Sequence, residues 1–491
     1  NSVFSTIPDT LAPAVLSVIV LDSVSVKVVF SESMGVGIID RNNYQLSLGD
    51  SVIAQISTNS NYISALISLK VPLQEKMFYQ IRFLNLFDCS GNLMPAFTDS
   101  IALYNPQIYD VVINEIMADP NPPVLLPAFE YVELFNNSNY PVNLTNWQFD
   151  YGSSSKTFSE CVIKPNSFVL LTKTDAVNQF LQYGQVLGLF SDVYALTDDG
   201  LPLVLKNQSG EIIHYVQYDK NWYSDNNKTE GGWALEQIDP SNPCGEKNNW
   251  KASIDKNGGS PCRKNSVFAK NPDNTVPIIN RIAYINDSTI TLHFSEIMHT
   301  DSITNPQNYN ISPDIGQPKA VALNYPDKKT VTISFKNPIQ RKIIYTLTIT
   351  NTVYDCLANK LAINSRARFA IPEEPLKDKV LINEILSKPK DEGVDFVEVI
   401  NISDEVYDFK DLLLANYDIV SGQAENTKAI SEQSVLMFPK EYYLITTNPD
   451  IIQQQYTCGS PLNFITVAAM PTFSNDEGTV AITNKQLEII D

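Results

Sequence analysis

The chain states one pattern twice. Val112-Ile113-Asn114-Glu115-Ile116, followed by Phe129-Glu130-Tyr131-Val132-Glu133-Leu134-Phe135-Asn136, returns as Leu381-Ile382-Asn383-Glu384-Ile385, followed by Asp395-Phe396-Val397-Glu398-Val399-Ile400-Asn401. A different motif, Phe30-Ser31-Glu32-Ser33-Met34, precedes the first copy and returns as Phe294-Ser295-Glu296-Ile297-Met298 before the second. Two module types, A and B, therefore alternate as A-B-A-B. Such a chain folds as a series of cores, and duplicated modules serve display or binding more often than one catalytic centre.

The length of 491 residues agrees. At roughly 150 residues per domain it predicts three or four domains. A hydrophobic content of 43% is that of a globular chain. The net charge of −20 speaks against nucleic acid, which needs clustered Lys and Arg, and against anionic lipid. Its ordinary meaning is a soluble exposed surface. No apolar run reaches the roughly 18 residues of a membrane-spanning helix. Asn1 opens without a charged-then-apolar leader, as expected where a signal peptide is absent or removed.

The secondary structure reads as strands. Val24, Val26, Val28 and Phe30 alternate with Ser25, Lys27 and Val29, and Ile290, Leu292 and Phe294 alternate with Thr289, Thr291 and His293. Period two with β-branched and aromatic residues marks half-buried strands. Residues 62–69 match 330–335, and 78–84 match 344–349. Short strands separated by Asn, Asp, Gly and Pro turns predict β-sandwiches. Only 175–183 offers one or two helical turns. The expected division is an N-terminal linker 1–13, A module 14–105, B module 106–268, linker 269–276, A module 277–372 and B module 373–491. Pro372-Glu373-Glu374-Pro375 marks the last joint, because each Pro fixes its own φ and restricts its predecessor. Gly210-Glu211-Ile212-Ile213-His214 aligns with Leu487-Glu488-Ile489-Ile490-Asp491. The first B module runs on past that point to Gly258-Gly259-Ser260-Pro261. The second B module is therefore expected to be C-terminally incomplete, with an unpaired edge and a polypeptide that continues.

The B modules resemble the lamin-tail domain, an immunoglobulin-like β-sandwich. The resemblance rests on Ile113-Asn114-Glu115-Ile116, on 130–136, on Asn143-Leu144-Thr145-Asn146-Trp147, and on the ending from Asn249-Trp250 through Gly258-Gly259-Ser260-Pro261. The second copy has Leu412-Leu413-Leu414 in place of the Trp-containing segment. The A modules look like bacterial immunoglobulin-like domains, through Phe-Ser-Glu-x-Met and Asn43-Tyr44, matched by Asn308-Tyr309. Their alternation is similar to that of secreted or surface proteins of the Bacteroidota. The resemblance implies an all-β, elongated array of tandem immunoglobulin-like sandwiches with a scaffold or binding role, and it carries no catalytic residues over. Five Asp-Ser/Thr-apolar triplets, at Asp9, Asp22, Asp50, Asp99 and Asp301, look like the O-glycosylation acceptor of Bacteroidota envelope proteins.

Candidate chemistry is sparse. Glu115, Glu130 and Glu133 recur as Glu384, Asp395 and Glu398. Paired carboxylates can do acid–base work or bind Ca²⁺. Glu130 and Glu133 are three apart, so on a strand they face opposite sides, and recurrence in both modules favours acceptance of backbone N–H bonds. Asp198-Asp199-Gly200 and Asn475-Asp476-Glu477-Gly478 are equivalent acidic turns, weak calcium candidates through Asp198, Asp199, Asp476 and Glu477. His214, His293 and His299 are scattered, and no triad, HExxH or phosphate loop appears. Trp222, Tyr223 and Trp233 lie in a polar loop, where they either stack on a ligand such as a glycan or cap the core. The six cysteines contain no CxxC pair, and an even count suits an oxidising compartment. Cys244 with Cys262 is the expected bridge. Cys89 with Cys161 and Cys356 with Cys458 are further candidates, the alternative being buried free thiols.

These readings converge on a non-enzymatic cell-surface or secreted scaffold or adhesin. It is expected to be exported and to act through protein–protein contacts, as in an outer-membrane assembly. The alternatives are the non-catalytic part of a larger secreted hydrolase and a carbohydrate-binding array. No resident cofactor is expected beyond the calcium candidates.

Overall fold

The alternating segments form strands with the expected inward faces. A computed structural model describes residues 9–49, 52–191, 195–457, 463–474 and 477–491. In Ser25–Phe30 the residues Val26, Val28 and Phe30 are buried and their neighbours half-exposed, and Thr289–Phe294 repeats that pattern. The side-chain period of two thus sorts each strand into a core face and a wetter face. The described chain is nearly all β. None of its helices is long and apolar enough to cross a membrane.

The chain divides into two units, Asn1–Pro272 and Asp273–Asp491. In the first unit the A module sets the sheet Val15–Asp22, Ser25–Phe30, Ser64–Leu69, Ile53–Thr58 against the sheet Tyr44–Leu46, Phe78–Phe83, Phe97–Ala102. Its core includes Val28, Tyr44, Ile67 and Phe83. The B module carries a six-stranded sheet in the order Val186–Phe190, Phe168–Lys173, Tyr131–Asn136, Val111–Met117, Leu235–Gln237, Trp250–Ala252. A second sheet runs Ser154–Thr157, Gln148–Tyr151, Pro202–Lys206, Ile212–Gln217. The expected helical turns at 175–183 are a 3-10 turn, Thr174–Ala176, followed by Val177–Phe180.

The second unit repeats the A topology and part of the B topology. Its A module has Ile279–Asn286, Thr289–Phe294, Thr330–Ser334, Ala320–Leu323 in one sheet and Tyr309–Ser312, Tyr345–Ile349, Arg366–Phe369 in the other. The Tyr44 hydroxyl donates to the Ile38 carbonyl at 2.6 Å, and Tyr309 does the same to Ile303 at 2.5 Å. Its B module has the sheet Val380–Leu386, Phe396–Asn401, Tyr442–Thr446, Phe464–Thr466 and the sheet Gln423–Ala429, Leu412–Asp418, Val480–Asn484. Among the described residues Val380–Leu386 is thus a sheet edge, whereas its repeat equivalent Val111–Met117 has a strand on each side. That difference governs the chemistry of the repeated acids.

Candidate functional site

In Val111–Met117 all seven residues are buried, including Asn114 and Glu115. Polar groups so placed must be hydrogen-bonded or they cost several kcal/mol. A bulge lies between Ile113 and Glu115, and Glu115 then faces Glu133 across one strand pair and Glu236 across the other. The bulge turns Asn114 aside, so its amide reaches Glu133 at 2.8 Å and Asn265 at 2.7 Å. Glu115 Oε1 accepts the Tyr131 hydroxyl at 2.6 Å and the Ser260 N–H at 2.7 Å. Glu133 accepts from Asn114 and from the Cys262 N–H. The Ser260 hydroxyl sits 3.2 Å from Glu115 Oε2 and 2.8 Å from Glu236 Oε1.

One hydroxyl proton cannot serve two carboxylates, so a carboxyl proton completes the set. Burial, then the neighbouring Glu236 carboxylate, raises the pKa of Glu115 above the usual range. Burial, then Glu115, does the same to Glu133. Among the described residues, every hydrogen-bond partner of Glu115 and Glu133 is a group of the same module. Glu130 serves another loop. Its Oε2 accepts the Ala195 N–H at 2.6 Å and the Leu196 N–H at 3.0 Å. Partial burial pushes it up to about 7 against those bonds.

His214 completes the module. Its Nδ1 accepts the Ile113 N–H at 2.9 Å, and its Nε2 lies 3.0 Å from the Pro243 carbonyl. Those partners fix the Nε2–H tautomer, and burial pushes the pKa down to about 4. At Asp491, the repeat equivalent, the carboxylate accepts the Ile382 N–H at 2.7 Å. The rest of the second copy is open. Asn383 still donates to Glu398, at 2.6 Å, but Asn383 and Glu384 are exposed. Asp395 is half-buried, with its pKa raised by desolvation.

Among the described residues, Asp198, Asp199 and Glu477 join no cluster of three carboxylates. Asp198 and Asp199 are exposed in a turn, and Glu477 is exposed with its N–H on Ser474. Asp476 lies outside the described residues. The carboxylates that do meet are others. Asp9, Glu32 and Asp88 bring ligand atoms within 4.8 Å of one another, and Asp273, Glu296 and Asp355 do so in the second A module. Asp88 also staples its own turn, accepting the Ser90 and Asn92 N–H groups at 2.8 Å each, and Asp355 accepts Leu357 and Asn359 likewise. Desolvation, then the Asp9 and Asp88 carboxylates, raises Glu32. Three carboxylates are oxygen donors of the kind a hard cation takes, although Ca²⁺ needs about six to eight oxygens.

Trp222 and Tyr223 do not form a ligand surface. Trp222 is 8% exposed and Tyr223 5%, both in the core, with Trp222 packed 6.2 Å from Trp250. The Tyr223 hydroxyl donates to the Trp233 carbonyl at 3.0 Å, and Trp233 itself is half-buried under Lys228. Their hydrophobic area outweighs the polarity of their neighbours and draws the loop over the sandwich end.

Two cysteine expectations also fail. Cys262 is a free thiol, so no bridge to Cys244 forms. Its backbone is held by Glu133, and its Sγ–H points to the Gln185 carbonyl at 3.7 Å. Cys89 and Cys161 are both free, Cys89 in the exposed Asp88 turn and Cys161 buried beside Gln185. Cys244 and Cys356 are disulfide-bonded residues, and Cys458 lies outside the described residues. Among the triplets, Thr10 and Ser100 are exposed, whereas Ser302 is buried with its hydroxyl on the His299 carbonyl. Asp50 and Ser51 lie outside the described residues.

Residues 104–220 match the family profile of the Lamin Tail Domain, and residues 273–370 match that of the Bacterial Ig-like domain. The chain carries a lamin tail domain and a bacterial Ig-like domain. The bonded acids Glu115, Glu130 and Glu133 lie within the matched lamin-tail segment, whereas their partners Glu236 and Ser260 lie beyond it. No curated protein matches the sequence. Among solved structures, the N-terminal part of the bacterial S-layer protein SbsC is 15% identical, with a TM-score of 0.19, over 43% of this chain and 44% of that one. A longer form of SbsC is 10% identical, with a TM-score of 0.18, over 88% of this chain and 64% of that one. Native alpha-2-macroglobulin from Escherichia coli, spanning domains MG0-NIE-MG1, is 9% identical with a TM-score of 0.16, over 73% of this chain and 96% of that one. The chain thus spans less than two thirds of either SbsC structure, and superpositions this loose carry no argument about function.

Proposed function

We propose that this chain is a non-enzymatic scaffold of the cell surface or extracellular space, acting through protein–protein contacts. The observation that carries the reading is the commitment of the acids. Glu115, Glu130 and Glu133, the residues that most resembled a catalytic set, accept backbone N–H groups from loops of their own module. Such bonds are what acids that hold loops in place make, which supports a structural role for them. The alternating sandwich modules supply surface for contacts instead. Trp222 and Tyr223 are core residues, which leaves the glycan-binding alternative to the half-buried Trp233.

The test is surface biotinylation of intact source cells, followed by cross-linking and identification of what is joined to the chain. Labelling on intact cells, with reproducible cross-links to envelope or secreted proteins, is the expected result. A chain that labels only after lysis sinks the reading.

A further inference from the structure

The junction between A and B modules is packed in the second unit and opens into a cleft in the first. In the second unit Val406, Leu436 and Phe438 of the B module join the core of the A module. Arg281 donates to the Ser434 carbonyl at 2.6 Å. Arg368 lies 4.1 Å over the Phe438 ring and 2.6 Å from Glu441. The strand registers give the first-unit equivalents: Ser17 for Arg281, Ser100 for Arg368 and Val162 for Leu436. Lys164 stands in the place of Phe438 and turns to Asp99, at 3.2 Å. Two guanidinium groups and a ring are thus missing from the first junction. A cleft of about 1390 Å³, lined by both modules, takes their place.

The walls define the occupant. The charged side chains that line the cleft are already paired, Asp99 with Lys164 and Glu160 with Lys27, so a charged ligand finds no spare counter-charge. The neutral polar side chains are mainly hydroxyls and carboxamides: Ser17 and Ser100 on the A side, and Asn143, Asn166, Gln185 and Gln208 on the B side. An apolar ligand would take water from these groups without replacing its bonds. Each of them both donates and accepts. An extended peptide offers its amides to one sheet edge and leaves the facing wall unserved. A sugar ring carries hydroxyls around its rim and presents C–H faces to apolar surface. Phe168, packed on Phe135 at 4.8 Å, and the exposed Leu16 and Leu21 supply that surface. The volume exceeds the roughly 300–1,000 Å³ of a small-molecule pocket, which suits several linked sugar units. We propose that the cleft between the two modules of the first unit binds an uncharged oligosaccharide. The inference goes beyond the scaffold reading and stands or falls without it.

The probes are neutral tetrasaccharides of glucose, mannose, xylose and galactose, with tetragalacturonate as the charged comparator and an alternating valine–threonine octapeptide as the strand comparator. Each is titrated into the full chain by calorimetry. A neutral tetrasaccharide is expected to bind at one site per chain, at least about tenfold tighter than either comparator. Ser17→Arg restores the side chain of the second unit and fills the cleft. It is expected to weaken binding at least about tenfold and to leave urea unfolding as in the wild type. Gln185→Ala, at an exposed position, is expected to weaken binding about three- to tenfold, and it keeps the test open if Ser17→Arg does not fold. Absence of binding by every neutral probe at about 1 mM overturns the proposal. So does tetragalacturonate or the octapeptide binding as tightly as the best neutral sugar, or an affinity unchanged in both variants.

Discussion

Replacing Glu115 by glutamine removes one carboxylate from the buried set and keeps its shape. The amide oxygen can still accept the Tyr131 hydroxyl and the Ser260 N–H, and the amide nitrogen can donate to the Ser260 hydroxyl. The sign of the pH effect follows from the raised pKa of Glu115 and Glu133. The native state binds protons that the unfolded chain has released above about pH 4.5, so stability falls as pH rises toward the folded pKa. The folded His214 is neutral throughout this window, its pKa being pushed down to about 4, and the unfolded histidine releases only its last half proton above about pH 6.5, so the acids set most of the slope. One extra native proton gives a slope of about 1.4 kcal/mol per pH unit, or about 2 kcal/mol between pH 6.5 and 8. Glu115→Gln should therefore be more stable than wild type by about 1 to 2 kcal/mol at pH 8, and within about 0.5 kcal/mol at pH 5. Glu115→Leu strands a hydroxyl and an N–H and should cost about 4 kcal/mol at both. Urea unfolding followed by tryptophan fluorescence reads this domain alone, because all four tryptophans, Trp147, Trp222, Trp233 and Trp250, belong to it. A wild-type stability that is flat or rising from pH 6.5 to 8, or a glutamine variant equally destabilised at both pH values, would refute the reasoning.

His214→Ala should cost about 3 kcal/mol at pH 7, through a cavity and an orphaned Ile113 N–H. The difference from wild type should shrink as pH falls from 6.5 toward 4, since a depressed histidine pKa gives stability that is lost through that window; paired urea melts across those pH values check it. Trp222→Ala should cost about 3 to 5 kcal/mol of first-module stability, read by thermal melting; a variant as stable as wild type would place the ring outside the core. Among the described free thiols, Cys89 should react with a thiol reagent in the native protein and Cys161 only after unfolding, since Cys161 is buried with its thiol pushed up to about 12; mass spectrometry of labelled peptides distinguishes them.

The strands were legible because a period-two pattern states its own burial, as in Val26, Val28 and Phe30. The partners of the acids were not. Ser260 lies 145 residues from Glu115, and Cys262 lies 129 from Glu133, so only the closed sheet brings them together. Trp222 and Tyr223 looked exposed because Asn221, Ser224 and Asp225 surround them. Sequence neighbours do not reveal Trp250, which buries Trp222 from across the module. Bridge geometry was equally hidden: the flanks of Cys262 point its sulfur at Gln185, not at another cysteine. The Asp9, Glu32 and Asp88 cluster had a signal, since a Phe-Ser-Glu strand end and an Asp-Cys turn recur together in both A modules.

The central claim is that one repeated motif stands in two settings: between two strands in the first unit and, among the described residues of this chain, beside one strand in the second. Hydrogen exchange on the full chain tests it in a single sample. The amides of Val111–Met117 should exchange only on global unfolding, whereas the outward-facing amides of Val380–Leu386 should exchange at least about a hundredfold faster. Equal, strong protection of the two strands would contradict it.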